Sequence, residues 1–127
     1  VYELFGDVWK ARGRDMKGAA AGDNFGYAIS LAENGLTVPV GARERLDTLA
    51  GAWQGYIQVF EFDHTSNDWV SIGDKVYGSD NDAEFGFAVA LSGRGTRVVA
   101  VSPYRGGQYV SIFDVSNAGL EQVGEDV

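Results

Sequence analysis

Apolar and polar residues alternate along most of the chain, in short segments separated by turns that contain glycine. In FGYAISL (25–31) and FGFAVAL (85–91), large apolar residues occupy every second position, with glycine, alanine or serine between them. A strict period of two is the pattern of a β-strand. The small residues give each strand one face that another sheet can approach closely. We therefore expect both segments to be strands packed against a neighbouring sheet.

Three more kinds of segment follow each of these strands. The second kind is an almost continuous apolar run, as expected for a strand covered on both faces. The third kind alternates, and the fourth is short and predicted to be an edge strand. The second kind is LTVPVGA (36–42) in the first unit and TRVVAVS (96–102) in the second. The third kind is GYIQVFEF (55–62) and QYVSIFDV (108–115), and the fourth is DWVSIG (68–73) and GLEQVG (119–124). No segment has a helical period, so the sequence predicts an all-β fold. Pro39 lacks an N–H, which predicts a bulge or a locally unpaired position in the second strand.

The pattern is an internal repeat. Residues 9–43 align with residues 69–103 without a gap and with nine identities. After Arg43 the offset falls from 60 to 53, so the first unit carries a seven-residue insertion within ARERLDTLAGAWQ (42–54). Insertions in repeats usually lie in loops. The N-terminal segment 1–13 resembles 59–73, the third and fourth strands of a unit.

Four antiparallel strands in a repeating unit are typical of a β-propeller blade. We interpret residues 1–127 as a single region with a half blade at 1–17, a full blade at 18–77 and a second blade at 78–127. The predicted architecture is an incomplete propeller arc of about ten strands in four-stranded antiparallel blades. Such an arc leaves blade faces and edges open. We therefore expect the chain to belong to a larger propeller or to pack its open faces on partners.

The unit resembles the FG-GAP repeat, the blade of integrin α-subunit propellers. Phe25-Gly26 and Phe85-Gly86 match the first half of that motif, and Gly41-Ala42-Arg43 and Val101-Ser102-Pro103 are degraded forms of the second. The resemblance implies a propeller of a kind common in surface and secreted proteins, and hence an extracellular, cell-surface or other exported compartment and a role in cell adhesion. Kelch blades are the alternative, because VFEFDHTSNDW also resembles a kelch turn.

Calcium loops of the DxDxDG kind, which many FG-GAP blades carry, are missing from the turns AENG (32–35) and SGRG (92–95). Asp80, Asp82 and Glu84 instead stand at alternate positions in SDNDAEFG, and alternating carboxylates can converge on Ca²⁺. They form a weak metal-site candidate, with Ca²⁺ as its cofactor. The plainer interpretation is a solvated loop of turn-forming residues.

Charge and composition exclude several functions. The net charge of −8 disfavours a nucleic-acid surface, which needs basic residues. The chain has no cysteine, which removes disulfides, cysteine-based zinc sites and cysteine nucleophiles. No apolar run is long enough for a transmembrane helix, so no transmembrane segment is predicted. His64, the single histidine, lies in a predicted hairpin tip, and one histidine supplies a catalytic triad or a zinc site poorly.

Tryptophans mark two different kinds of position. Trp9 and Trp69 recur at the same place in the repeat, so we expect each to fill a gap between blades. Trp53 lies in the insertion and has no repeat partner, and an unrepeated aromatic residue in a long loop is a candidate for binding. The predicted ligand- or partner-binding residues are Arg43, Arg45 and Trp53, with Tyr104 and Arg105 in the equivalent loop of the second unit.

No catalytic set emerges, so the sequence favours a non-enzymatic structural or protein-interaction module. Its expected partner is another protein or the remaining blades of a larger chain. A lectin-like carbohydrate-binding module that uses Trp53 and Tyr104 is one alternative. A non-catalytic part of a larger secreted enzyme is the other.

Overall fold

The computed structural model describes residues 1–43, 46–47, 52–79, 84–103 and 108–127. These residues form strands and turns without any helix, which confirms the predicted all-β fold. Accordingly, the described part of the chain has no helix that could cross a membrane. The strands that carry the repeat form three antiparallel sheets, of two, four and four strands.

The three sheets follow one another along the chain. The N-terminal ribbon consists of β1 (Tyr2–Phe5) and β2 (Val8–Ala11). The first sheet has the order β3 (Phe25–Ile29), β4 (Thr37–Ala42), β7 (Tyr56–Asp63), β8 (Asp68–Tyr77). The second sheet has the same order, with β9 (Ala88–Leu91), β10 (Arg97–Ser102), β11 (Tyr109–Ser116) and β12 (Gly119–Gln122). In both four-stranded sheets the fourth strand lies at an edge, as predicted.

The insertion contributes structure that the sequence did not predict. Its described residues form two short strands, β5 (Leu46–Asp47) and β6 (Ala52–Trp53), which pair antiparallel with each other. The expectation that the whole insertion is loop was therefore wrong for these residues. Backbone groups within an insertion can satisfy one another in a small ladder of their own, and such a ladder needs no apolar pattern. Together with the ten predicted strands, the described residues thus contain twelve.

Pro39 lies in the central strand β4 and pairs with Val59 of β7 without a bulge at that point. Its carbonyl accepts a hydrogen bond from Ser30 N–H at 3.3 Å, so the side of Pro39 that lacks a donor faces the first strand of the sheet. β3 ends at Ile29, one residue before Ser30. The expected irregularity thus takes the form of an early end to β3. The register shift of this pair lies elsewhere in β3, between Phe25 and Ala28.

The sheets stack face to face, and we call the face of each sheet toward the preceding one in the chain its front face. The front face of the first sheet forms a core with Val1 and Met16, which flank the N-terminal ribbon, and the front face of the second sheet forms a core against the first sheet. The two front-face sets are Val38, Val40, Phe60, Phe62 and Trp69, and Val98, Ala100, Phe113, Val115 and Leu120. Each member of the second set stands at the repeat position of the corresponding member of the first. The same core is therefore built twice.

The back face of the first sheet approaches the second sheet closely, as the small residues predicted. A Cβ atom on Gly41 would lie 2.1 Å from the carbonyl oxygen of Gly86, so only glycine fits there. The hydroxyl of Ser30 accepts a hydrogen bond from Leu91 N–H at 3.1 Å. Ile57 from this face is fully buried in the second core. The prediction of a small face for close packing of sheets is confirmed for the first sheet.

The two repeated tryptophans differ. Trp69 is 8% exposed, and its indole N–H donates to the Arg12 carbonyl at 2.7 Å, so it fills the gap between the N-terminal ribbon and the first sheet. Trp9 is 65% exposed, so the prediction that it fills such a gap was wrong. The reason is that no other sheet among the described residues lies against that face of the ribbon. In the same way, no other sheet among the described residues lies against the back face of β10. Val99 and Val101 are therefore partly exposed, whereas β4 is buried along its length.

Candidate interaction site

One end of the stacked first and second sheets gathers the segments that the sequence singled out. The end of β4 lies beside the start of the second unit, because Gly41 touches Gly86. The base of the insertion is tied to the same place, since Gly55 bridges Phe85 and Phe85 N–H donates to the Gln54 carbonyl at 3.1 Å. β10 also ends there, because Val101 pairs with Ala88 at the start of β9. We call this region the loop end.

Arg43 lies at the loop end directly after β4, with its side chain about three-quarters buried. Its Nη1 is 3.3 Å from Glu84 Oε2. Its guanidinium carbon lies 4.4 Å from the centre of the Tyr27 ring, within the range of a cation–π contact. A planar guanidinium held by a carboxylate and an aromatic face is a preorganised donor. Within the predicted binding set, Arg43 thus has a side chain whose position is fixed by contacts with Glu84 and Tyr27.

Glu84 was predicted as a metal ligand, and the structure places it against the Arg43 guanidinium. Its φ of 47° is repeated at Asn24, the aligned residue of the first unit, whose φ is 52°. In both units the carbonyl of this residue accepts a hydrogen bond from the N–H three residues later. The described residues contain no group of three or more histidine or acidic side chains that could hold a metal ion. Glu84 is therefore part of a repeated turn and of an ion pair.

The remaining predicted site residues lie outside the described part of the chain or are described only by their backbone. The residues outside the described part of the chain are Arg45, Asp80, Asp82, Tyr104 and Arg105. Trp53 belongs to β6, where it pairs with Leu46, and its side chain is not among those described. Two of the predicted residues, Arg43 and Glu84, are brought together. Whether the carboxylates converge on a metal stays a prediction.

Sequence reasoning missed two aromatic residues at the loop end. The Tyr27 ring packs against the Arg43 guanidinium and is half exposed. Its centre lies 5.4 Å from the centre of the Phe87 ring. These residues stand at the same position of the repeat. The signal was present, because both follow the Phe-Gly pair and both are aromatic. It was assigned to strand packing, since an alternating aromatic residue is usually part of a core.

A buried carboxylate anchors the first unit beside the loop end. Asp23 is 5% exposed and accepts hydrogen bonds from the Tyr56 hydroxyl at 2.6 Å and from three backbone N–H groups, those of Ala19, Ala20 and Phe25. Burial raises the pKa of Asp23, but the hydrogen bonds from Tyr56 and the backbone outweigh it and hold the pKa below its ordinary value. Burial, together with the bond to Asp23, raises the pKa of Tyr56. The pair fixes the turn that precedes β3.

Comparison with known proteins adds no family to this description. No protein-family model matches the chain, and no curated protein matches it significantly.

Proposed function

We propose that the chain is a non-enzymatic structural or protein-interaction module built of FG-GAP-like propeller blades, and that it acts as part of a larger propeller or assembly. The observation that carries the proposal is the repetition of the fold. Two four-stranded sheets of identical strand order stack on each other and have equivalent core residues, since Val98 stands at the repeat position of Val38 and Leu120 at that of Trp69. Stacked four-stranded antiparallel sheets are the building principle of propellers.

Exposed apolar residues support an interaction role. Large side chains on the N-terminal ribbon and on β3 are open to solvent. They are Tyr2, Leu4, Phe5, Val8, Trp9, Tyr27 and Ile29, all between 49% and 68% exposed. Contiguous exposed apolar patches on a folded chain mark surfaces that contact other molecules. At the loop end, Tyr27 lies beside Arg43, which also pairs with Glu84, so the exposed surface there combines apolar and polar groups.

The experiment combines the solution mass of the whole chain with the binding of the apolar dye ANS. The proposal predicts that the chain either has a mass above 13.6 kDa or binds the dye through its open faces, while near-UV circular dichroism shows fixed tertiary packing. A monodisperse monomer of 13.6 kDa that leaves the dye unbound would contradict it. Binding on a glycan array would favour the carbohydrate-binding alternative instead.

A further inference from the structure

A glycine at one repeat position of the fourth-strand segment packs on the start of the next sheet's fourth strand at each junction of the stack. A Cβ atom on Gly13 would lie 2.7 Å from Cδ1 of Trp69, at the junction of the ribbon with the first sheet. A Cβ atom on Gly73 would lie 2.6 Å from the Cα of Gly119, at the junction of the two four-stranded sheets. Gly124 stands at the third copy of this position and has no atom within 4 Å of its Cβ direction. Gly13 and Gly73 therefore each pack on the next sheet, whereas Gly124 meets no other atom of the described residues.

The backbone around this glycine is paired in the same way in both four-stranded sheets. In the first sheet, Ile57 pairs with Val76 across the irregularity that contains Gly73. In the second sheet, Val110 and Val127 exchange hydrogen bonds of 2.9 and 3.1 Å across the segment that contains Gly124. The backbone that presents Gly124 thus has the shape of the one that presents Gly73.

The back face of the second sheet carries four partly exposed apolar side chains from its two central strands. Val99 pairs with Ile112 and Val101 with Val110, and all four side chains point away from the core that contains Val98. Each of them is partly exposed. The equivalent residues of the first sheet are buried by the second sheet, and the two from β7, Ile57 and Val59, are 0% exposed. The second sheet therefore presents the same third-strand pair for stacking, Val110 and Ile112 in place of Ile57 and Val59, although Val101 stands where the first sheet has Gly41.

The matching surface lies uncovered at the other end of the stack, on the front face of the N-terminal ribbon. Leu4 pairs with Trp9 as Phe62 pairs with Trp69. Leu4 and Trp9 are 51% and 65% exposed, whereas Phe62 and Trp69 are 5% and 8% exposed. Tyr2 is likewise 66% exposed. The ribbon thus displays the part of this apolar set that lies on the third and fourth strands.

We propose that the back face of the second sheet of one copy of this chain stacks on the front face of the N-terminal ribbon of a second copy. Gly124 of the first copy would then lie against Trp9 of the next, as Gly13 lies against Trp69 within the chain. The two surfaces are different, so the contact is head-to-tail and can be continued by further copies, into an open array or a closed ring. The inference rests on the proposed function, because it uses stacking of blades as the mode of contact.

Two variants that each block one surface test the proposal. Trp9→Asp places a charge on the ribbon face, and Ile112→Asp places one on the back face of the second sheet. Sedimentation velocity should show the unmodified chain growing in mass with concentration, and each variant alone as a monomer of 13.6 kDa. An equimolar mixture should form a dimer that does not grow, because one intact surface of each kind remains. Circular dichroism of each monomer checks that the fold is kept.

The possible failures are distinct. A mixture that stays monomeric, or single variants that associate as strongly as the unmodified chain, would overturn the head-to-tail contact. If the unmodified chain is a monomer that binds ANS, the second copy is the wrong occupant, although the chain still presents open contact faces. A monomer that binds no dye contradicts the proposed function as well.

Discussion

The two four-stranded sheets have the same strand order and equivalent cores, yet they differ in how deeply they are buried. All six residues of β4 in the first sheet are buried, whereas β10 in the second sheet alternates between buried and partly exposed residues. The first sheet lies between the ribbon and the second sheet, while the second sheet is covered on one face by the described residues. Burial in a stack of repeats thus depends on the neighbours of a sheet as much as on its own sequence.

The largest effect is expected from the two equivalent tryptophans. Trp69→Ala should lower the free energy of unfolding by about 3–5 kcal/mol, the usual cost of truncating a buried tryptophan. The Arg12 carbonyl also loses its indole donor. Trp9→Ala should change it by less than about 0.5 kcal/mol, as at other exposed positions. Urea unfolding of dilute chain measures both, and equal losses would show that neighbouring sheets do not account for the difference in burial.

The next effect concerns the glycine that lets the sheets approach. Gly41→Ala should lower the free energy of unfolding by about 1–3 kcal/mol or more, because the new Cβ meets the Gly86 carbonyl oxygen. Val101 occupies the same repeat position in the second sheet. Val101→Ala truncates a partly exposed side chain and should cost less than about 1 kcal/mol. Thermal unfolding of the two variants compares them, and a neutral Gly41→Ala would contradict the close contact.

The first unit has a buried carboxylate, Asp23, where the second unit has Ala83. We therefore expect the first unit alone to make stability depend on pH through this position. The folded pKa of Asp23 lies below the unfolded value of about 3.9. The unfolded chain therefore binds the proton more readily. The stabilisation from this carboxylate is complete above the unfolded pKa and is lost as the pH falls through the folded pKa.

Asp23→Asn should lower the free energy of unfolding at neutral pH by about 1–3 kcal/mol through the weakened hydrogen bonds. It should also reduce the dependence of stability on pH below the unfolded pKa. Urea unfolding across a pH series measures both effects, with Glu125→Gln, an exposed position, as the matched control. An acid response identical to that of the unmodified chain would contradict the role of Asp23.

The smallest effects are expected from two arginine–carboxylate pairs. Arg97 and Asp114 on the second sheet are about half exposed, so Arg97→Gln should leave the free energy of unfolding almost unchanged, with the smallest change at high salt. Arg43→Gln should cost more, about 1–2 kcal/mol, because this side chain is more buried and also packs on Tyr27. Double-mutant cycles with Asp114→Asn and Glu84→Gln compare the pairs. A stronger coupling at Arg97 would reverse the expected order.

Much of the fold was accessible from the sequence because strands leave a local signal. The period of two in 25–31 and 85–91 and the repeat between Trp9 and Trp69 predicted the strands and the two equivalent units. The short ladder between Leu46 and Trp53 was missed, since it depends on backbone pairing and not on an apolar pattern. The contact of Arg43 with Glu84 and Tyr27 was also missed, because it joins residues that are distant in sequence.

The sequence by itself determined that the chain is all-β and that one strand unit recurs, because alternation of side chains across a strand is a local property. Only the tertiary structure decided which copy of each residue is buried. Trp9 and Trp69 have the same place in the repeat, but burial requires a second surface. That surface is supplied by a neighbouring sheet, and no residue specifies its own neighbour across a stack.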